Sequence, residues 1–182
     1  MWYGQRVRLR AIEREDIPTF VRWFNDPRVR QYLLMYEPMS KAKEERWFDA
    51  QLQREDEFLW AIEARADGDW IHIGNLGLHK VDWKNRNATF GIVLGEVDYW
   101  GKGYGLDATC TLLQFAFGEL GLHRVELEVF AGNERARRCY ERAGFRREGT
   151  RRQALHRDGN FHDVHLMAIL RDEFQGQQRK AR

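Results

Sequence analysis

The chain has 182 residues, enough for one sizeable core and short for two. With 43% hydrophobic and 13% aromatic residues it reads as globular, which excludes an intrinsically disordered chain. The 30 Lys and Arg against 28 Asp and Glu leave a formal charge of +2, the balance of neither a nucleic-acid binder nor an acidic-tail protein, and no run of about 18 apolar residues offers a membrane span.

Residues 5–12 alternate Val7, Leu9 and Ala11 with Arg6, Arg8 and Arg10, which predicts a half-buried strand with solvated arginines. Residues 13–24 read as a helix with Ile17, Phe20, Val21 and Phe24 on one stripe, stopped by Asn25, Asp26 and Pro27. An aromatic, Met-containing loop covers 32–38. Ser40 suits the N-cap of a second helix reaching about residue 54, with a weak stripe of Trp47, Ala50, Gln51 and Leu52. Residues 58–64 and 70–80 alternate as two strands joined by an Asp-Gly hairpin signal at 66–69. After a turn at 83–87 comes an apolar strand, 88–95.

The next segment organises the chain. Trp100, Gly101, Lys102, Gly103, Tyr104 and Gly105 form a glycine turn, and apolar residues at 106, 110, 113, 116 or 117 and 120 then keep helical spacing. Strand 124–130 follows, so the unit is βαβ, and its two strands are expected to be parallel neighbours. Alternate glycines let backbone N–H groups converge at a helix start, an anion site suited to phosphate, with Lys102 as an added charge. A Walker A loop would need Ser or Thr after Gly101 and Lys102, where Gly103 stands instead. A dinucleotide fingerprint matches Gly103, Gly105 and Ala108, with Glu128 placed for a ribose, and keeps a nicotinamide oxidoreductase open as an alternative. Against it, residues 96–102 separate the fingerprint from its strand, and the flanking chain reads as hairpins.

Residues 133–143 read as a short helix capped by Asn133 and ended by Gly144, with Ala136, Tyr140 and Ala143 on one face. Residues 147–155 and 161–170 form a last hairpin around Arg157, Asp158 and Gly159, and 175–182 is a polar, basic tail after a domain spanning 1–174. Cys110 and Cys139 suit a reduced, cytoplasmic protein, as does an N-terminus lacking an apolar signal core. Cys139 reads as a packing residue, since no His lies at obvious spacing for a nucleophile. The six histidines lack metal-ligand spacing; His162 and His165 face opposite sides of a strand, so no metal is expected.

The turn at 100–105, together with Asn133, Tyr140, Gly144 and Phe145, resembles the Gcn5-related N-acetyltransferase (GNAT) superfamily. Nearly the whole chain is similar, most of all to the branch of RimJ/RimL-like ribosomal-protein N-terminal acetyltransferases and spermidine acetyltransferases. Trp100 departs from the family's usual Gln or Arg, and Ala136 from a frequent Ser. The resemblance implies an α/β (α+β) domain with a mixed central sheet of about seven strands and about four helices, splayed between strands 4 and 5. It implies acetyl-CoA as cosubstrate, bound by Trp100, Gly101, Lys102, Gly103, Tyr104, Gly105 and Asn133, with Val93 and Leu94 supplying backbone N–H groups to pantetheine and the oxyanion. The acceptor would be a primary amine, on a peptide N-terminus or a polyamine, in a cleft walled by the first two helices. Tyr32, Tyr36 and Glu37 are candidate acceptor contacts, alongside Trp23 and Trp47.

Acetyl transfer from a thioester to an amine needs a base, an oxyanion site and an acid for the thiolate. Tyr140, a neutral donor near pH 7, is the candidate acid, with a plain core aromatic as its competing role. On strand 124–130, Val125, Leu127 and Val129 take one face, leaving Glu126 and Glu128 on the other. Glu128 matches the general base of the peptide-acetylating members. Desolvation would raise its pKa, whereas an ion pair with Arg124 or Arg146 is the alternative. Glu96 is the second candidate base. A non-catalytic coenzyme A-binding module remains a further alternative, and the exposed last hairpin suggests a homodimer.

Overall fold

The computed structural model describes residues 1–66 and 68–174. Asp67, in the expected hairpin, and the tail at 175–182 lie outside them. Its strands are β1 (Trp2–Tyr3), β2 (Val7–Ala11), β3 (Phe58–Ala66), β4 (Asp69–Asp82), β5 (Asn87–Leu94), β6 (Arg124–Phe130), β7 (Arg146–Arg157) and β8 (Asn160–Leu170). Its helices are α1 (Ile17–Asn25), α2 (Pro27–Arg30), α3 (Lys41–Gln51), α4 (Tyr104–Gly118) and α5 (Glu134–Ala143). One mixed sheet runs β1-β2-β3-β4-β5-β6-β8-β7. The strand beyond the expected seven is Trp2–Tyr3, which pairs Trp2 with Leu9 and Tyr3 with Arg8. Two residues carry no readable period, so sequence alone passes over it.

Val7 and Leu9 are buried as the alternation requires. Arg8 and Arg10, expected in solvent, are instead paired. Arg10 grips Asp16 at 2.7 and 2.8 Å and Glu63 at 2.8 Å, and Arg8 joins the same Glu63. His72 completes this group, with Nδ1 3.2 Å from Asp16. The cluster locks the start of α1 to β2, β3 and β4. Burial alone would raise the Asp16 pKa, but hydrogen bonds from Arg10 and His72 outweigh it and hold the carboxyl well below its usual range.

On α1 the buried stripe is Ile17, Phe20 and Trp23, so Trp23, expected among the acceptor aromatics, is a core residue. On α3 the buried residues are Glu44 and Phe48, while Leu52 beyond its end is exposed. The expected stripe of Trp47, Ala50, Gln51 and Leu52 therefore sits beside the buried one and not on it.

The expected parallel neighbours are β5 and β6, and they pair over three residues only: Asn87 with Arg124, Ala88 with Val125 and Thr89 with Glu126. Beyond Thr89 the strands part. α4 packs against one face of the sheet, sharing a core with Leu76, Leu78 and Phe90. α1 lies over the other face, where the His72 ring meets Trp23 at 4.8 Å and Phe20 at 5.8 Å. The splay thus opens a passage between the two faces.

Candidate active site

A cleft of about 920 Å³ follows the parting of β5 and β6, bounded by the glycine turn, β4, α5 and the loop after α2. At the turn, Gly101 (φ +72°) and Gly103 (φ +91°) occupy the left-handed region that glycine adopts without cost. Gly103 is the N-cap of α4, so the turn delivers the unpaired N–H groups of a 15-residue helix to the cleft. Gly101, Gly103 and Gly105 line it.

Two expected members of the turn do not reach the cleft. Lys102 is exposed, and its carbonyl accepts from the Arg6 guanidinium. Tyr104 lies under that guanidinium at 4.2 Å and against Tyr99 at 5.2 Å. Cationic charge comes instead from α5, through Arg135, Arg138 and Arg142. Arg135 lies 3.8 Å over the Trp100 ring and 5.3 Å from that of Tyr32. Trp100, where the family usually has a polar residue, therefore serves as a platform for a cation delivered from another element. This arrangement needed a tertiary contact between Trp100 and Arg135 that spacing does not reveal.

Next along the cleft is the open edge of β5. Gly95 N–H donates to Ile73 C=O at 2.9 Å, and the register pairs Asn75 with Val93. Alternation along the ladder turns the polar backbone groups of Val93 toward β4 and those of Ile92 and Leu94 toward the gap. Leu94 C=O accepts from Trp100 Nε1 at 2.8 Å. Leu94 N–H is thus available as expected, whereas Val93 N–H is spent in the ladder and Ile92, missed from sequence, takes its place.

α5 supplies the opposite wall. Asn133 Oδ1 accepts from Ala136 N–H at 3.2 Å as the N-cap, leaving its amide N–H₂ for the cleft. Tyr140 is buried, edge-on to Phe90 at 6.0 Å. Its hydroxyl makes no hydrogen bond among the described residues, yet no buried polar side-chain atom there lacks a partner, so the hydroxyl opens on the cleft that Tyr140 lines. Burial pushes its pKa above the ordinary phenolic value, keeping it a proton donor throughout the neutral range. Burial likewise raises the Cys110 and Cys139 thiols to about 11, which suits packing and not nucleophilic attack.

The two carboxylates expected as bases are placed otherwise. Glu128 lines the cleft but is exposed and paired with Arg151, not with Arg124 or Arg146. The desolvation argued from a sheet covered on both faces does not hold there. Glu96 accepts from Arg22, the main cause of its lowered pKa, and from Trp23 Nε1 at 2.9 Å. A carboxylate held charged in this way is a weaker base.

At the acceptor end Tyr32 and Trp47 line the cleft. Tyr36 and Glu37 line a separate small depression, where Glu37 pairs with Lys43 at 3.0 Å. Among the described residues no three His, Cys, Asp or Glu side chains gather to hold a metal ion.

Residues 6–146, which carry the glycine turn, the splay and α5, match the Acetyltransferase (GNAT) domain family. The chain belongs to that family. It is 30% identical over 177 residues to the putative ribosomal N-acetyltransferase YdaF of Bacillus subtilis, covering 96% of each chain. With the spermidine N(1)-acetyltransferase of Vibrio cholerae it shares 28% over 172 residues, covering 94% of this chain and 96% of that one. The crystal structure of the Vibrio cholerae spermidine N-acetyltransferase in complex with CoA and spermine superposes with a TM-score of 0.86 at 26% identity, covering 94% of this chain and 99% of that one. As a GNAT enzyme the chain uses acetyl-CoA to acetylate an amine, and the nicotinamide alternative falls. Left-handed glycines, helix N–H groups, three α5 arginines and an open strand edge fit a pyrophosphate joined to a thioester arm.

Proposed function

We propose that the chain acetylates the amine of a peptide N-terminus or of a similarly apolar monoamine, in the manner of the RimJ/RimL-like branch. The observation that carries this reading is the charge of the cleft wall. Among the described residues Glu128 is the one carboxylate lining it, and Arg151 already partners that group. A polyamine with several cationic centres would leave most of them against Phe24, Leu33, Met35, Trp47 and Leu59, an uncompensated burial of charge. A single amine on an apolar chain meets no such penalty. In this reading Asn133 and the open edge of β5 hold the pantetheine arm, Leu94 and Ile92 N–H groups receive the oxyanion, and Tyr140 protonates the departing thiolate.

A thiol-release assay with acetyl-CoA tests it, comparing short peptides with apolar first residues against spermidine and spermine. The peptides are expected to give kcat/KM at least about tenfold higher, equivalent to about 1.4 kcal/mol. A preference for polyamines would overturn the acceptor assignment, and an absence of thiol release with every amine would overturn acetyl transfer itself. Two free cysteines support a cytoplasmic setting. Exposed Phe161 at the start of β8 supports a homodimer through the last hairpin, to be checked by light scattering.

A further inference from the structure

We propose, on the basis of the acetyl-transfer reading above, that His79 backed by Glu57 is the general base that deprotonates the acceptor amine. His79 lies on β4, on the sheet face that α1 covers, and lines the cleft. Tyr140 approaches from the α4 side through Phe90. A base on the side where the amine enters and an acid on the side where the thiolate leaves is the arrangement that direct transfer across the splay requires.

The backbone is shaped to present this residue. His79 pairs with Thr89, but Asp82 pairs with Asn87, so β4 carries one extra residue, and Lys80 takes φ +52°. Such a bulge re-aims the side chain beside it. Val81 N–H donates to Asp56 C=O at 3.0 Å, docking the segment before β3 alongside His79. Glu57 Oε2 then lies 3.1 Å from His79 Nδ1. Glu57 is held in turn by Arg54 at 3.1 Å and, with the amide nitrogen turned toward it, by Gln51 at 3.0 Å, whose oxygen accepts from Trp47 Nε1 at 3.0 Å.

A carboxylate partnered by Arg54 accepts a hydrogen bond, so Nδ1 carries the ring proton and Nε2 keeps its lone pair. Nε2 sits beside Gly91 on β5, where the splay begins; a Cβ at that position would stand only 3.3 Å from it. Glycine at 91 leaves the lone pair approachable. Among the described residues, Asp56, Glu57 and Arg54 are the charged groups in this network around the ring.

In the proposed step His79 Nε2 takes one proton from the acceptor ammonium. The freed lone pair attacks the thioester carbonyl and the C–N bond forms. As the C–S bond breaks, sulfur leaves with its electron pair and takes a proton from the Tyr140 hydroxyl. The second proton released from nitrogen restores that hydroxyl through water, and the imidazolium returns its proton to solvent.

Kinetics of the full chain with acetyl-CoA and the best acceptor of the panel test the assignment. His79→Gln is expected to lower kcat about 10²-fold at pH 7, abolish the ascending limb of the kcat profile between about pH 5 and 8, and leave thermal stabilisation by coenzyme A unchanged. Glu57→Gln, which loses the carboxylate that fixes the Nδ1–H tautomer and the ring's orientation, is expected to lower kcat about tenfold with KM little changed. A His79→Gln enzyme with wild-type kcat and an intact limb would overturn the role of His79 while acetyl transfer itself stands. Should the variant not fold, the wild-type profile decides: an ascending limb supports the proposal, and a flat kcat from pH 5 to 8 overturns it. Wild-type enzyme inactive toward every amine would instead overturn the acetyl-transfer reading beneath it.

Discussion

Glu44 shows what a single side chain contributes when its helix turns it inward. It is 2% exposed on α3, and burial raises its carboxyl pKa from 4.5 to about 7. Between those values the folded state holds a proton that the unfolded chain has released. Stability therefore falls as pH rises through that window and stays lower above it. Glu44→Gln removes the penalty. Its melting temperature at pH 8 is expected to exceed wild type by about 2–4 °C, for a gain of about 1 kcal/mol, with no gain at pH 4. A lower melting temperature at pH 8 in thermal melts would refute this. The sequence concealed Glu44 because α3 has a weak apolar stripe, so the period does not say which side faces in. The exposure of Glu128 is hidden from the sequence for a related reason. Alternation along β6 separates its two faces, but only the packed molecule shows that the Glu128 face is left open.

Among the elements, the glycine turn depends on a partner far away in the chain. Asp107, in the first turn of α4, accepts from the backbone N–H groups of Gln5 at 3.0 Å, Arg6 at 2.7 Å and Val7 at 3.0 Å. One carboxylate thus ties the entry to β2 onto the helix that begins at the glycine turn, and Arg6 returns to the Lys102 carbonyl. Asp107→Ala strands three donors of a charge-assisted set and is expected to cost about 2–3 kcal/mol. A urea unfolding midpoint that barely moves would show that the tether carries no stability. Strand, glycine turn, helix and strand were legible in residues 88–130 because each element carries its own period or breaker. The tether, the Arg135–Trp100 stack and the bulge at Lys80 were not, since each joins residues that no local period relates.

Over the whole molecule, function follows from one departure from regularity: β5 and β6 are parallel neighbours that separate after Thr89. Had the ladder continued, Ile92 and Leu94 N–H would be consumed by β6, and no passage would join the α4 face to the α1 face. The paired motifs at 100–105 and 133–145 made the family legible, and with it the splay. The acceptor was not legible, because it depends on which side chains the loop after α2 and the β4 surface bring together. Tyr140 stands where that passage meets the α4 face, so Tyr140→Phe decides whether transfer runs through the splay. With the best acceptor at saturation, kcat is expected to fall on the order of 10²-fold while stabilisation by coenzyme A is retained; an unchanged kcat would contradict transfer through the splay with Tyr140 as the acid.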